Sequence, residues 1–578
     1  MNGVASQNTT ERPVIRGRKH AISSGHFLAS QAGYEILQAG GNAVDAGVAA
    51  AMVLAVVHSD IVNFAGVCPM MVYTAEDGVV RSIDGLGYWP RAADVEVFRN
   101  DFDNRIPEGI LRTVMPAAPA AWIAALERFG TVSFADAVSF AAGYARDGFV
   151  LYPLMASNIA LDAEKYRRWP SSAAHYLPSG SAPVVGEVFR QPDLASTIDY
   201  MIASEAAASH GGRQAGLKAA RDAFYRGDIA RTIADYHTAQ GGWVTFEDLS
   251  GYKPAWEPVF SQSFRNHEVY SCGPWCQGPV LLQALKLLSR TGIEGLAHNS
   301  FEYIHLLAEV LKLSFCDREH FYGDPRFVDV PLETLLSDDY ADRRLALIDR
   351  DKAWTDLPPR DPALTGTNQA RLVEASEGET PPAHDTSFVA VFDRYGNAFS
   401  ATPSDVSRDT PIIPGTGICP SSRGSQSRVE PGHPSVVAPG KRPRLTPNPA
   451  MVLDTMGRPV LALGSPGADV QSQAMLQALL NCMLFGMNPQ EAVEAPRFAT
   501  FSFPSSFAPH SHFPGRLSYE ARIEPNVVEK LGVAGHDLFA WPSSVWRAGG
   551  VCLVAKDHET GVVSAGADPR RESYALGT

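Results

Sequence analysis

The segment His384–Asp405, HDTSFVAVFDRYGNAFSATPSD, organises the reading of this chain. Thr386 to Phe392 is rich in β-branched and aromatic residues, Asp393-Arg394-Tyr395-Gly396-Asn397 carries turn chemistry, and Ala398 to Thr402 resumes a strand-like run. The pattern predicts a β-hairpin with a hydroxyl residue, Thr386, at the head of its first strand. Ahead of it, Asp351 to Asp385 is dominated by Pro, Thr, Asp and Glu with no apolar periodicity, the composition of an exposed connecting segment. If the chain is cut before Thr386, one residue carries both a nucleophilic hydroxyl and an α-amine that titrates near pH ~7.7–8.0 and can act as its base. On pattern alone the alternative is simpler: threonines entering strands are commonly there for β-propensity.

Other stretches extend the reading outward. LASQAGYEILQAGGNAVDAGVAAAMVLAVVH (28–58), FCDREHFYGDPRFVDVP (315–331), PGKRP (439–443), LGSPGAD (463–469) and AGADPRRES (565–573) accompany the hairpin in that order. Together they resemble the γ-glutamyltranspeptidase family of N-terminal nucleophile hydrolases, and the resemblance runs from Ser24 to Leu576. It implies a four-layer αββα sandwich, an α+β fold. It also implies cleavage of the Asp385-Thr386 bond by N-to-O acyl shift. A large chain, 1–385, and a small chain, 386–578, would then pair as a heterodimer within one compact unit.

The resemblance also assigns site residues. Thr386 would be the nucleophile and, once cleaved, its own base; Ser404 occupies the position of a family hydroxyl that orients it, although Pro403 and Asp405 beside it also suit an ordinary turn. Gly464-Ser465-Pro466-Gly467-Ala468 keeps most of the family G-S-P-G-G loop, so the backbone N–H groups of Gly467 and Ala468 would hold the oxyanion.

Departures cluster at the amino-acid clamp. In DGLGYWP (84–90), beside Tyr88, Leu86 stands where the family has the arginine that grips an α-carboxylate. Ser421 and Ser422 replace asparagines, Gln426 falls where an acid would meet the α-ammonium, and Thr446 lies where a serine pair is usual. Arg423 or Arg442 can supply an anion contact instead. The expected substrate is therefore a small amide whose acyl group lacks the glutamate head, in the manner of oxamate amidohydrolase or the cephalosporin and glutaryl acylases. Two other readings stay open: a true γ-glutamyltransferase or glutathione hydrolase with a different grip, and an unprocessed pseudoenzyme serving as a binding protein.

Composition bounds the rest. The 578 residues carry a formal charge of -14, which argues against a general nucleic-acid or anionic-membrane surface. Seven scattered cysteines do not read as a disulfide framework, and Cys272 and Cys276 read as loop residues. The polar first twenty residues lack a secretory core, which points to the cytoplasm, and the apolar run Ala46 to Val57 is too short to span a bilayer and reads as a buried helix. Arg318, Glu319 and His320, ending a helix predicted over 301–319, read as solvated or ion-paired structural charges. His510 and His512 form an H-x-H with no neighbouring carboxylate cluster, so no metal is assigned. The mechanism requires no cofactor.

Overall fold

The computed structural model describes residues 10–364 and 386–578; the expected cleavage position Asp385 lies outside the described residues. Two seven-stranded sheets form its centre. The first runs Tyr574–Gly577, Ala21–Ser24, Val389–Phe392, Ala398–Ala401, Met70–Thr74, Val79–Ile83, Trp256–Glu257. The second runs Ile15–Gly17, Val563–Ala567, Cys552–Lys556, Pro459–Gly464, Ala450–Asp454, His267–Ser271, Phe260–Phe264. The predicted hairpin is thus an interior pair of the first sheet, antiparallel and in register from Val389 opposite Ala401 to Phe392 opposite Ala398.

Strand alternation explains why this hairpin is apolar on both faces. Phe388, Ala390 and Phe392 enter the core between the sheets, with Met451, Ala462 and Val554 from the second sheet. Val389 and Val391 point the other way, into a cluster with the helix Ala43–Val57, which is buried along its whole length. On the far side, the helices Gly278–Leu288, Phe301–Phe321 and Gln471–Phe485 share a core with Val452 and Leu463 of the second sheet. The layer order is αββα, as expected. Among the described residues no helix is long and apolar enough to cross a membrane.

Local chemistry fixes the hairpin turn. The Asp393 carboxylate accepts from Tyr395 N (2.8 Å), Asn397 N (2.9 Å) and Asn397 Nδ2 (2.8 Å), while Gly396 takes φ 92°. The same carboxylate accepts from Ala43 N at 2.8 Å, tying the turn to the start of the buried helix, whose N-cap is Asn42 in a capping box with Asp45. Two stretches elsewhere carry short helices. The polar region 170–192 contains the helix Pro170–Tyr176, and 243–270 contains the helix Phe246–Gly251. Proline at the first helical position starts the one, and the Thr245–Asp248 capping box starts the other.

Candidate active site

Thr386 precedes the regular strand. Its backbone bridges Ser404, whose N donates to Val67 O at 2.9 Å, and Ser387 N donates to Pro403 O at 3.0 Å. This register puts the Thr386 and Ser404 Oγ atoms 2.7 Å apart, both buried. Gln471 Nε2 donates to Thr386 Oγ1 at 3.2 Å, and the Arg423 guanidinium donates to Ser404 Oγ. A guanidinium only donates, so the Ser404 oxygen is an acceptor toward Arg423 and its hydroxyl is polarised as a donor. Donors aimed at Thr386 Oγ1 from two sides stabilise charge developing on that oxygen when its proton leaves.

Asp405 organises the opposite wall. It is fully buried, with φ 144°, a conformation seldom adopted by a non-glycine residue, and Gly66 makes room for it: a Cβ there would lie 2.7 Å from Asp405 Cβ. Its carboxylate accepts from Ser421 Oγ (2.5 Å), Ser422 Oγ (2.6 Å) and Ser422 N (3.1 Å), with Arg423 Nε at 3.8 Å. Burial pushes the Asp405 carboxyl above its ordinary range, and Arg423 and the two hydroxyls oppose that push. Asp405 is therefore a brace for the 421–423 loop, where the sequence also suggested an ordinary turn. Phe507 stacks 5.5 Å from the Arg423 guanidinium.

The DGLGYWP stretch runs behind this loop. Val114 N donates to Ser421 O (3.1 Å) and Met115 N to Tyr88 O (3.1 Å), while Trp89 Nε1 donates to Ser427 Oγ (2.9 Å). Tyr88 is half-buried, and Leu86 is buried in the intersheet apolar cluster with Trp275 and Phe388. Gln426 Nε2 donates to Thr446 Oγ1 at 3.0 Å, so these two candidates pair with each other. Among the described residues, Ser425 Oγ, Gln426 Oε1 and Gln471 Oε1 are buried without a partner.

The glycine loop arrives from the second sheet. Gly464 ends its strand directly against the nucleophile strand, where a Cβ would sit 2.1 Å from the Phe388 ring. Gly467 then takes φ 120°, ψ 28° and Ala468 φ 52°, and Gln471 begins the helix Gln471–Phe485. Among the described residues neither the Gly467 nor the Ala468 N–H meets a backbone acceptor, and both residues are partly exposed. Two amides of this kind are suited to an oxygen that becomes negative.

Gln471 and the bracing role of Asp405 were missed in the sequence. Their signal was faint: Gln471 is a polar residue entering an apolar helix, and Asp405 follows Pro-Ser. Arg318 and Glu319 are buried and ion-paired; Glu319 meets Arg444 (2.9 Å), Arg428 and His433 (3.2 Å). The His510 ring nitrogens bond the carbonyls of Ser505 and Ser427, and His512 faces Asp356 at 3.3 Å. A cation could be held among the described residues by His305, Glu309 and His536. There His305 Nδ1 lies 3.0 Å from His536 Nε2, and Glu309 accepts from Lys312 Nζ (2.7 Å) and Trp354 N (3.1 Å). The ammonium already neutralises the one carboxylate a cation would need. The cysteines are free thiols.

Residues 29–578 match the gamma-glutamyltranspeptidase family. The acylase ACY 1 proenzyme of Pseudomonas sp. (strain SE83) is 33% identical over 95% of this chain and 91% of its own. The glutathione hydrolase-like YwrD proenzyme of Bacillus subtilis (strain 168) is 30% identical over 97% and 99%. The crystal structure of cephalosporin acylase from Bacillus halodurans superposes with a TM-score of 0.85 at 25% identity, covering 100% of this chain and 99% of that one. This chain belongs to the γ-glutamyltranspeptidase family of hydrolases.

Proposed function

We propose that this protein is a self-processing amide hydrolase in which Thr386 is the nucleophile, and that the acyl group it accepts lacks an α-ammonium. In maturation the Thr386 hydroxyl attacks the Asp385 carbonyl, the C–N bond breaks to give an ester, and water cleaves the ester to leave Met1–Asp385 and a small chain beginning at Thr386. In turnover the same oxygen adds to the substrate carbonyl while its proton passes to the Thr386 α-amine. The Gly467 and Ala468 amides stabilise the oxyanion, and the amine returns the proton to the departing nitrogen. Water then attacks the acyl ester, giving the free acid and restoring the hydroxyl.

The observation that carries the substrate class is the charge around the nucleophile. Asp405 is the carboxylate bonded into this group, and its oxygens are taken by Ser421, Ser422 and Arg423. Gln426 and Thr446, at the ammonium and carboxylate positions of the family clamp, form a neutral pair. Arg423, one hydroxyl away from Thr386, favours an acyl group with an anionic or strongly accepting end, such as oxalyl or glutaryl. Leu86 is packed in the intersheet apolar cluster and brings no charge to the site.

The test is a panel of oxamate, glutaryl-p-nitroanilide and γ-glutamyl-p-nitroanilide. We expect kcat/KM for oxamate or the glutaryl amide to exceed that for the γ-glutamyl amide by about tenfold or more, a gap of ~1.4 kcal/mol in transition-state binding. Arg423→Met should erase most of that preference. Preferred cleavage of the γ-glutamyl amide, stimulated by a dipeptide acceptor, would instead identify a γ-glutamyltransferase. Binding without turnover by an intact chain would identify a binding protein.

A further inference from the structure

The turn that presents the Gly467 and Ala468 amides is closed locally by Val470 N donating to Gly467 O (2.9 Å) and Gln471 N donating to Ala468 O, and it is also gripped from outside its own loop. Gly467 (φ 120°) and Ala468 (φ 52°) are consecutive residues in the left-handed half of backbone space, and Ala468 has no glycine's freedom there. Such a pair persists only where its surroundings over-determine it. Two side chains from distant segments do so. Gln277 Nε2, just before the helix Gly278–Leu288, donates to Ala468 O at 3.1 Å. Arg318, near the end of the helix Phe301–Phe321, reaches the next residue, its Nη1 donating to Asp469 Oδ1 at 2.7 Å.

The Asp469 end is locked in turn. Its carboxylate accepts from Ser506 Oγ (2.6 Å) and Ser506 N (2.8 Å). Arg318 also donates to Ser506 Oγ (2.9 Å) and Pro504 O (2.6 Å), and its guanidinium lies 4.9 and 5.0 Å from the rings of Phe315 and Phe503, themselves stacked at 3.8 Å. Arg318, Asp469 and Ser506 are all buried. Just past Asp469, Gln471 touches the nucleophile oxygen. A shift of Asp469 would therefore move the two amides and Gln471 together.

We propose that Arg318, through Asp469, and Gln277, through the Ala468 carbonyl, are positioning residues that set the Gly467–Ala468 amides against the carbonyl under attack. This rests on the oxyanion reading of the loop. If the chain is cut at 385–386, both positioning side chains lie on the large chain and the turn they hold lies on the small chain. The large chain would then position the amides that the small chain supplies.

The test uses the matured protein and the variants Arg318→Lys, Arg318→Met, Gln277→Met and the milder Ser506→Ala. The first readout is glutaryl-p-nitroanilide hydrolysis. We expect kcat to fall 30- to 300-fold in Arg318→Met and about tenfold in Gln277→Met and Ser506→Ala, with KM within twofold of wild type and partial recovery in Arg318→Lys. The second readout needs no substrate: hydrogen–deuterium exchange of the peptide spanning 464–470 should accelerate at least tenfold in the folded variants, while exchange in the strand Val389–Phe392 stays at wild-type rates. Unchanged exchange in that peptide, or unchanged kcat in a variant whose exchange has risen, overturns the proposal. If the wild type hydrolyses none of the panel amides, the functional reading fails, and the exchange measurement alone decides whether Arg318 and Gln277 hold the turn.

Discussion

The hydroxyl oxygens of Thr386 and Ser404 lie 2.7 Å apart because the backbone segments carrying them are bridged just before the hairpin becomes regular. Arg423 and Gln471 complete the set by donating to Ser404 and Thr386 respectively. Removing the Ser404 hydroxyl takes a buried acceptor from Arg423 as well as weakening the contact with Thr386, a loss of about 1–3 kcal/mol. Ser404→Ala is expected to lower kcat about 10- to 100-fold on the best amide of the panel with little change in KM, and Ser404→Thr to retain most of the activity. Steady-state kinetics on the two variants checks this; equal losses in both would deny the hydroxyl a role.

Gly464 is where the second sheet touches the nucleophile strand. Gly464→Ala places a methyl group 2.1 Å from the Phe388 ring, so one strand must move. Overpacking of this kind costs about 1–3 kcal/mol. We expect a lower melting temperature and slower appearance of the two-chain form on denaturing gels. Adding Phe388→Leu should restore part of both, a non-additivity expected of touching residues.

Acid stability follows from buried histidines. Burial lowers His26, His237 and His433 to about 3, so each is neutral when folded and binds a proton only on unfolding. A depressed histidine contributes no instability above the unfolded value near 6.5, and below it the unfolded state gains a proton the native state refuses. Each such group then removes about 1.4 kcal/mol of stability per pH unit between pH ~6.5 and ~3. The melting temperature should be flat above pH 7 and fall steeply below pH 6, as scanning fluorimetry would read. The triple variant His26→Gln, His237→Gln, His433→Gln should show a shallower fall.

Much of this arrangement was readable in the chain itself. The hairpin was legible because its β-branched runs flank Asp393 and Gly396, whose turn chemistry is local, and the helix Ala43–Val57 because a dozen apolar residues follow a capping box. The place of Thr386, Ser404 and the 464–468 loop followed from family order in the sequence, and the structure brings Thr386, Ser404 and Arg423 into one hydrogen-bonded group. What escaped is what depends on non-local partners. Asp405 has turn-forming neighbours, yet its carboxylate is spent on serines sixteen and seventeen residues away. Gln471 lies 85 positions from Thr386, and no local pattern announces such a contact. Arg318 and Glu319 have the look of a solvated helix end because burial by segments more than a hundred residues distant leaves no periodic mark.

The most direct test is intact mass and N-terminal sequencing of the purified wild type beside Thr386→Ala. The wild type should separate into two chains, the smaller beginning at Thr386, and the variant should stay a single chain of 578 residues. A wild type that remains whole after prolonged incubation, or a Thr386→Ala chain cut at the same bond, would contradict it.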